Sequence, residues 1–279
     1  MAAEPNMNPD QVSAAPPRPS AARVFLGPNG LRSGWKCLLF FACALLLIYL
    51  LVPLAFRVVP PPPRHGIPLP TTLVGAEVVE AVASLLMTAI MAWLVDKRPF
   101  GRFGIPKAGA FGPNFWIGAL IGFSALTIQL ELMHLGGWFS FGRIVLHGSD
   151  VLKYAALWGI LFLCTGFFEE SLLRGYPLRV LTDGMGFWPS AVLLSVLFAA
   201  AHLSNRGEDW FGIFMVFIDG MVMCFSLWRT GNLWFAIGNH AAWDWGQTFF
   251  FGTPDSGLPA THALLAPTFA GRPLLSGGS

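Results

Sequence analysis

Charge is what this sequence has least of. Only 11% of its 279 residues are Asp, Glu, Lys or Arg, against 54% hydrophobic, where a soluble domain carries about 25% charged residues. That shortage excludes a globular surface facing water on all sides. The 17 basic and 15 acidic residues nearly cancel, to a net +2, which excludes a nucleic-acid partner held through a basic field. Cysteine is scarce too. Cys37, Cys43, Cys164 and Cys224 lie inside apolar runs without C-x-x-C spacing, so neither a disulfide framework nor a zinc knuckle is indicated, and they read as small buried hydrophobes. Helix-spaced H-E-x-x-H is missing, which leaves any metal role without its clearest sequence mark. No internal repeat is found, which speaks against a transporter built on inverted repeats.

What the chain has instead is apolar length and aromatic rings. Eleven Trp and 25 Phe suit a lipid-facing protein with aromatic residues at its interfaces. Residues 1–33 are rich in Pro, Ala and Ser and predict a disordered cytoplasmic tail. The first apolar run, Cys37 to Phe56, comes too late and is too long for a cleaved leader and predicts a transmembrane helix. The proline run Val59 to Arg64 predicts a stiff extracytoplasmic loop. Further apolar runs fall at 73–95, 114–133, 151–168, 187–203, 211–228 and 232–251. The fold class is thus all-α: a polytopic transmembrane bundle of about seven helices, or eight if the tail after Gly252 re-enters the bilayer. The bundle occupies 34–251, and 252–279, broken by Pro254, Pro259, Pro267 and Pro273, reads as an irregular C-terminal tail.

Basic residues orient the bundle. Arg18, Arg23, Arg32 and Lys36 precede the first span; Lys97, Arg98, Arg102 and Lys107 follow the second; Arg174 and Arg179 follow the fourth and Arg229 the sixth. The opposite loops hold Arg57, Arg64, Arg143 and Arg206, the last beside Glu208 and Asp209. By the positive-inside rule the N-terminus is cytoplasmic.

Ionisable groups at membrane depth cost about 2.5–3.5 kcal/mol each on insertion scales, so each needs a reason. Glu77, Glu80 and Glu131 fall near span ends, where water is reachable. Asp219 is mid-span. The segment Phe167 to Gly175 places Glu169 and Glu170 after an apolar run, with Arg174 one helical turn beyond Glu170. Glu170 and Arg174 share a face and predict a structural ion pair. Glu169 points about 100° away and is free to act as a base. Phe198 and His202, then His240 and Asp244, repeat the same one-turn spacing on two later spans. Taken singly each feature fits a helix-end pair or an interfacial histidine. Together they supply what water activation needs: a carboxylate to take the proton and imidazoles to position water or stabilise an oxyanion. Two histidines and a carboxylate, Glu169, His202 and His240, are also an adequate zinc donor set.

Glu169-Glu170-x-x-x-Arg174, Phe198-x-x-x-His202 and His240-x-x-x-Asp244 resemble, in that order, the three motifs of the CPBP intramembrane peptidases. That family includes the CAAX prenyl endopeptidases and the bacterial Abi, or bacteriocin-processing, proteins. Arg98-Pro-Phe-Gly-Arg-Phe-Gly and Thr230-Gly-Asn-Leu-Trp agree with it, and the resemblance covers about 95–250. It implies an intramembrane endopeptidase with Glu169 as general base and His202 holding the attacking water. His240 and the residue at 244 would polarise the scissile carbonyl or stabilise its oxyanion. Many relatives carry Asn at that last position, so Asp244 can instead orient His240 or bind a metal. Both metallopeptidase and metal-free, glutamate-dependent mechanisms follow from the resemblance, so zinc stays open as a cofactor.

The expected partner is a peptide or protein substrate at the membrane, cleaved near the cytoplasmic side, with the bilayer itself and no nucleic acid. A proton-coupled transporter, kept open by Asp219, and a non-catalytic immunity or scaffold protein are the alternatives. With no eukaryotic targeting signal, a bacterial inner membrane is expected. The site also makes a structural demand. Glu169 and His202 reach one depth only if the fourth helix runs on to about Leu181, tilted, instead of ending at Glu170.

Overall fold

The computed structural model describes residues 21–28, 30–58, 70–205, 209–257 and 259–271. A short helix α1 (Ala22–Phe25) and a two-stranded hairpin, β1 (Leu26–Gly27) with β2 (Gly30–Leu31), precede the bundle. The expected disordered tail therefore gives way to local structure by residue 22, while 1–20 lie outside the described residues, as does the proline-rich loop at 59–69. Among the described residues six helices are long and apolar enough to cross a membrane. They are α2 (Ser33–Ala55), α3 with its π-helical end (Pro70–Asp96), α4 (Pro113–Leu135), the composite Ser149–Met185, α7 with its 3-10 end (Phe187–Ser204) and α8 (Trp210–Thr230). A shorter helix, α9 (Trp234–Trp245), continues through a π turn to Phe250 and makes a seventh rod.

The composite rod meets the demand on depth. It consists of α5 (Ser149–Glu170), a π turn (Ser171–Gly175) and α6 (Tyr176–Met185), which together run 37 residues, about 55 Å at 1.5 Å per residue. The helix passes Glu170 and reaches beyond Leu181. Single π turns inside α-helices often mark functional sites, because the inserted residue re-aims the side chains on either side. This one is braced by a 2.8 Å hydrogen bond between the hydroxyls of Ser171 and Ser84 on α3.

Cross-links sort the helix ends into two layers. At one end the start of α2 meets the ends of α3 and α6, through Lys36–Asp96, Tyr176–Asp96 and Arg98–Asp183. The starts of α4 and α9 join the same layer: Leu233 N–H donates to the Gly104 carbonyl at 2.7 Å, and Asn114 bonds Asn232 at 3.4 Å. At the other end a β-ribbon pairs β3 (Phe139–Ile144) antiparallel with β4 (Leu265–Phe269). There the Trp158 indole donates to the Thr261 carbonyl at 3.1 Å, and Leu264 N–H to the Phe249 carbonyl at 2.7 Å. This ribbon gives Leu265–Phe269 a regular pairing within the tail expected to be irregular, and the rest of its described residues are loop and turn. The prolines bar a helix, yet they do not bar an edge strand whose N–H groups point away from its partner. Residues 272–279 are outside the described set.

The last rod is held at unusually close range. Cβ atoms built on Gly118 and Gly238 would lie 2.1 Å from the carbonyl oxygens of Phe235 and Phe115, and one on Gly122 would lie 2.4 Å from that of Asn239. Small residues let transmembrane backbones approach in this way, because lipid offers no hydrophobic drive and packing must supply the association. On its other face α9 meets Gly166 of α5, whose Cβ would be 3.7 Å from that of His240. Glycines on α4, α5 and α9 thus set where His240 stands. Gly238→Ala forces α4 and α9 apart, and the expected cost is about 1–3 kcal/mol, read as a lowered thermal midpoint in detergent.

Candidate active site

The residues singled out in the sequence converge. His240, on α9, has its Nδ1 at 3.0 Å from Glu170 Oε1, and its Nε2 at 3.5 Å from Glu169 Oε2 and 3.3 Å from Asp244 Oδ2. Three carboxylates therefore surround one imidazole. The two glutamates differ as expected: the Glu170 side chain is fully buried, and that of Glu169 is 23% exposed. Glu170 Oε1 also accepts from Arg174 Nη1 at 3.0 Å, so the ion pair expected from one-turn spacing is present. A carboxylate that accepts from a guanidinium leaves Nδ1 of His240 as the donor, which fixes that side of the ring. The sequence expectation that Asp244 orients His240 needs one addition, because Glu170 does so as well, from the opposite nitrogen.

Arg174 reaches the second motif too. Its guanidinium lies over the Phe198 ring, 4.4 Å from the centroid, a cation–π contact. Phe198 in turn meets His202 edge-on at 4.7 Å. His202 ends α7, where its Nδ1 bonds the Phe198 carbonyl at 2.9 Å. A carbonyl can only accept, so Nδ1 is the donor in this contact.

Glu169, His202, His240 and Asp244 all line one cavity of about 780 Å³. Asp219, the residue that kept a separate proton path open, lines the same cavity. Glu77 does as well, and its Oε2 is buried without a hydrogen-bond partner, so the interfacial reading of that residue is replaced. A span-end position in sequence did not reveal that α3 packs its Glu77 face against α5. Thr248 and Asp255 complete the polar wall. Asp255 lies in the loop after α9, where sequence gives no periodicity to read, and only the fold brings it near the motifs. Desolvation, then the negative charge of Asp244, pushes the Asp255 carboxyl well above its ordinary range.

The zinc expectation meets no ready-made site. Among the described residues no group of three or more His, Cys, Asp or Glu side chains is arranged to hold a metal ion. Both ring nitrogens of His240 face carboxylate oxygens, and Nδ1 of His202 is taken by a carbonyl. A backbone acceptor on Nδ1 is also the usual partner of an imidazole that ligates through Nε2, so the His202 contact does not oppose zinc.

Comparison with known proteins adds one match. Residues 151–246 match the Rce1-like family, the type II CAAX prenyl endopeptidases. That is the family that the three motifs resemble. The matched segment holds all three motifs and the helices α5 to α9 that carry them. No curated protein and no solved structure matches the chain. The Rce1-like match and the six apolar helices together make this an integral membrane protein.

Breaking a buried ion pair by removing one partner costs about 3–5 kcal/mol. Arg174→Met is therefore expected to destabilise the protein by that order, and adding Glu170→Gln to recover part of the loss, both read by thermal unfolding in detergent. Asp255 gives a second expectation. A raised folded-state pKa means that the folded protein holds this proton more tightly than the unfolded chain does. Acid thus favours folding, and the contribution is lost as pH rises through and above the carboxylate range. Asp255→Asn should gain in thermal midpoint on the wild type as pH is raised, and the gap should close in acid.

Proposed function

We propose that the protein is an intramembrane endopeptidase of the CAAX protease and Abi type that hydrolyses a peptide bond with a glutamate-activated water. The observation that supports this most is the meeting of Glu169, His240 and Asp244 on the wall of one cavity, within a segment that matches the Rce1-like family.

Glu169 is the base. Its carboxylate reaches the cavity, whereas Glu170 is sealed off and neutralised by Arg174. A water between Glu169 and Nε2 of His202 loses its proton to Glu169 as its oxygen attacks the scissile carbonyl carbon. The carbonyl π electrons move onto oxygen. His240 faces carboxylates at both nitrogens, the setting of an imidazolium that donates at both. Its Nε2 contacts, at 3.5 and 3.3 Å, are longer than the ~2.9 Å of a settled N–H···O bond. That N–H is available to the developing oxyanion without the ring having to move. Glu170 holds the far side of the ring while this happens, and Asp244 offsets the imidazolium charge. The intermediate then collapses, the C–N bond breaks, and Glu169 returns its proton to the departing amine.

General acid–base catalysis contributes about 10²–10⁴-fold. Glu169→Gln is expected to lower kcat by that order with little change in thermal midpoint, and His240→Ala to lower it with a loss of stability as well. The measurement is peptide-library cleavage in proteoliposomes. Equal cleavage by wild type and both variants would sink the assignment.

A further inference from the structure

The two layers of helix ends differ in charge, and the cavity belongs to only one of them. Arg23, Arg32, Lys36, Lys97, Arg98, Arg102, Lys107, Arg179 and Arg229 sit at the end where α2, α4, α7 and α9 begin. Among the described residues the opposite end carries Arg57, Arg143 and Lys153. Such a bias in short loops places the basic end in the cytoplasm. The cavity runs the other way. Beyond the central layer its wall comes from Leu73 near the start of α3, Phe211 near the start of α8, and Asp255, Ser256 and Pro259 in the loop after α9. The basic end contributes no lining residue from 92–113, 175–190 or 224–234. On that side a separate cavity of about 190 Å³ reaches Arg174 but shares no lining residue with the first, and Tyr176 and Leu233 are fully buried.

We infer that the cavity is loaded from the extracytoplasmic side, by a peptide segment lying at that face of the membrane. This rests on the peptidase reading for what is done to the segment, but not for where it enters. It departs from the cytoplasmic-side cleavage expected from sequence. The wall on α8 gives the substrate its second property. Phe211, Met215, Ile218 and Val222 line the cavity and are at the same time 43%, 46%, 37% and 48% exposed on the apolar surface of a spanning helix. The cavity therefore offers an apolar flank along α8 and polar groups at Asp255 and Ser256 toward its outer end. A segment that fits carries apolar side chains against α8 and an extended backbone reaching inward to Glu169. Membrane-adjacent stretches of exported or membrane-anchored proteins have that chemistry.

The test uses single-cysteine variants, with the four native cysteines replaced by Ala. Ser256→Cys stands at the cavity mouth and Lys107→Cys in a basic-end loop, and both positions are exposed. A membrane-impermeant maleimide should label Ser256→Cys in intact spheroplasts and Lys107→Cys only after permeabilisation. Labelled Ser256→Cys should lose peptide cleavage, whereas labelled Lys107→Cys should keep it. Labelling of Lys107→Cys but not Ser256→Cys in intact spheroplasts would overturn the inference, as would unimpaired cleavage by labelled Ser256→Cys. If the unlabelled protein cleaves no peptide in any geometry, the peptidase reading fails by itself, and the labelling pattern still decides the side of entry.

Discussion

The buried pair of Glu170 and Arg174 is the constraint on which the site depends. Two charges with no exposed side-chain surface, held 3.0 Å apart, survive at membrane depth only because each neutralises the other. Neither is left without further work. Glu170 fixes Nδ1 of His240, and Arg174 lies over Phe198, which backs His202. One ion pair on one helix therefore positions an imidazole on each of two others. Glu169, the adjacent residue, gains its freedom from the same arrangement: the cation is already committed to its neighbour, and helical rotation turns Glu169 to the cavity.

The pair also explains why the composite rod needs its π turn. Arg174 lies inside that turn, and Ser171 at its start is tied to Ser84 on α3. Helical geometry through 171–175 thus sets the direction of the guanidinium while the rod continues to Met185. A helix ending at Glu170 would leave Arg174 in a loop, without a fixed address.

Much of this was legible in the residues. Apolar run lengths located the rods to within a few positions, because a bilayer imposes length directly, except that the fourth run, 151–168, stops well short of the rod's end at Met185. The ordered triple at 169–174, 198–202 and 240–244 located the site, because charge at depth is costly and cannot be incidental. One-turn spacing gave Glu170–Arg174 and His240–Asp244, both intrahelical. What could not be read lies between elements. The Glu170–His240 contact depends on how closely α5 and α9 approach, which glycines such as Gly166 determine and no periodicity announces. Glu77 looked interfacial because its place near a span end was visible and the helix packed against it was not. The β3–β4 ribbon joins segments about 125 residues apart, a pairing that local propensity does not encode, and the loop carrying Asp255 follows from it.

The close seating of α9 has a consequence for biosynthesis. His240 and Asp244 are delivered by α9, made after the other described bundle helices, into a slot between α4 and α5 that glycines keep open. Until that helix arrives, Glu170 lacks its partner imidazole, and Glu169 faces a wall that has not formed. The nascent chain thus carries its first two motifs through the insertion machinery without a working centre. On the peptidase reading, a centre that is incomplete without α9 is spared from acting on the proteins being inserted beside it.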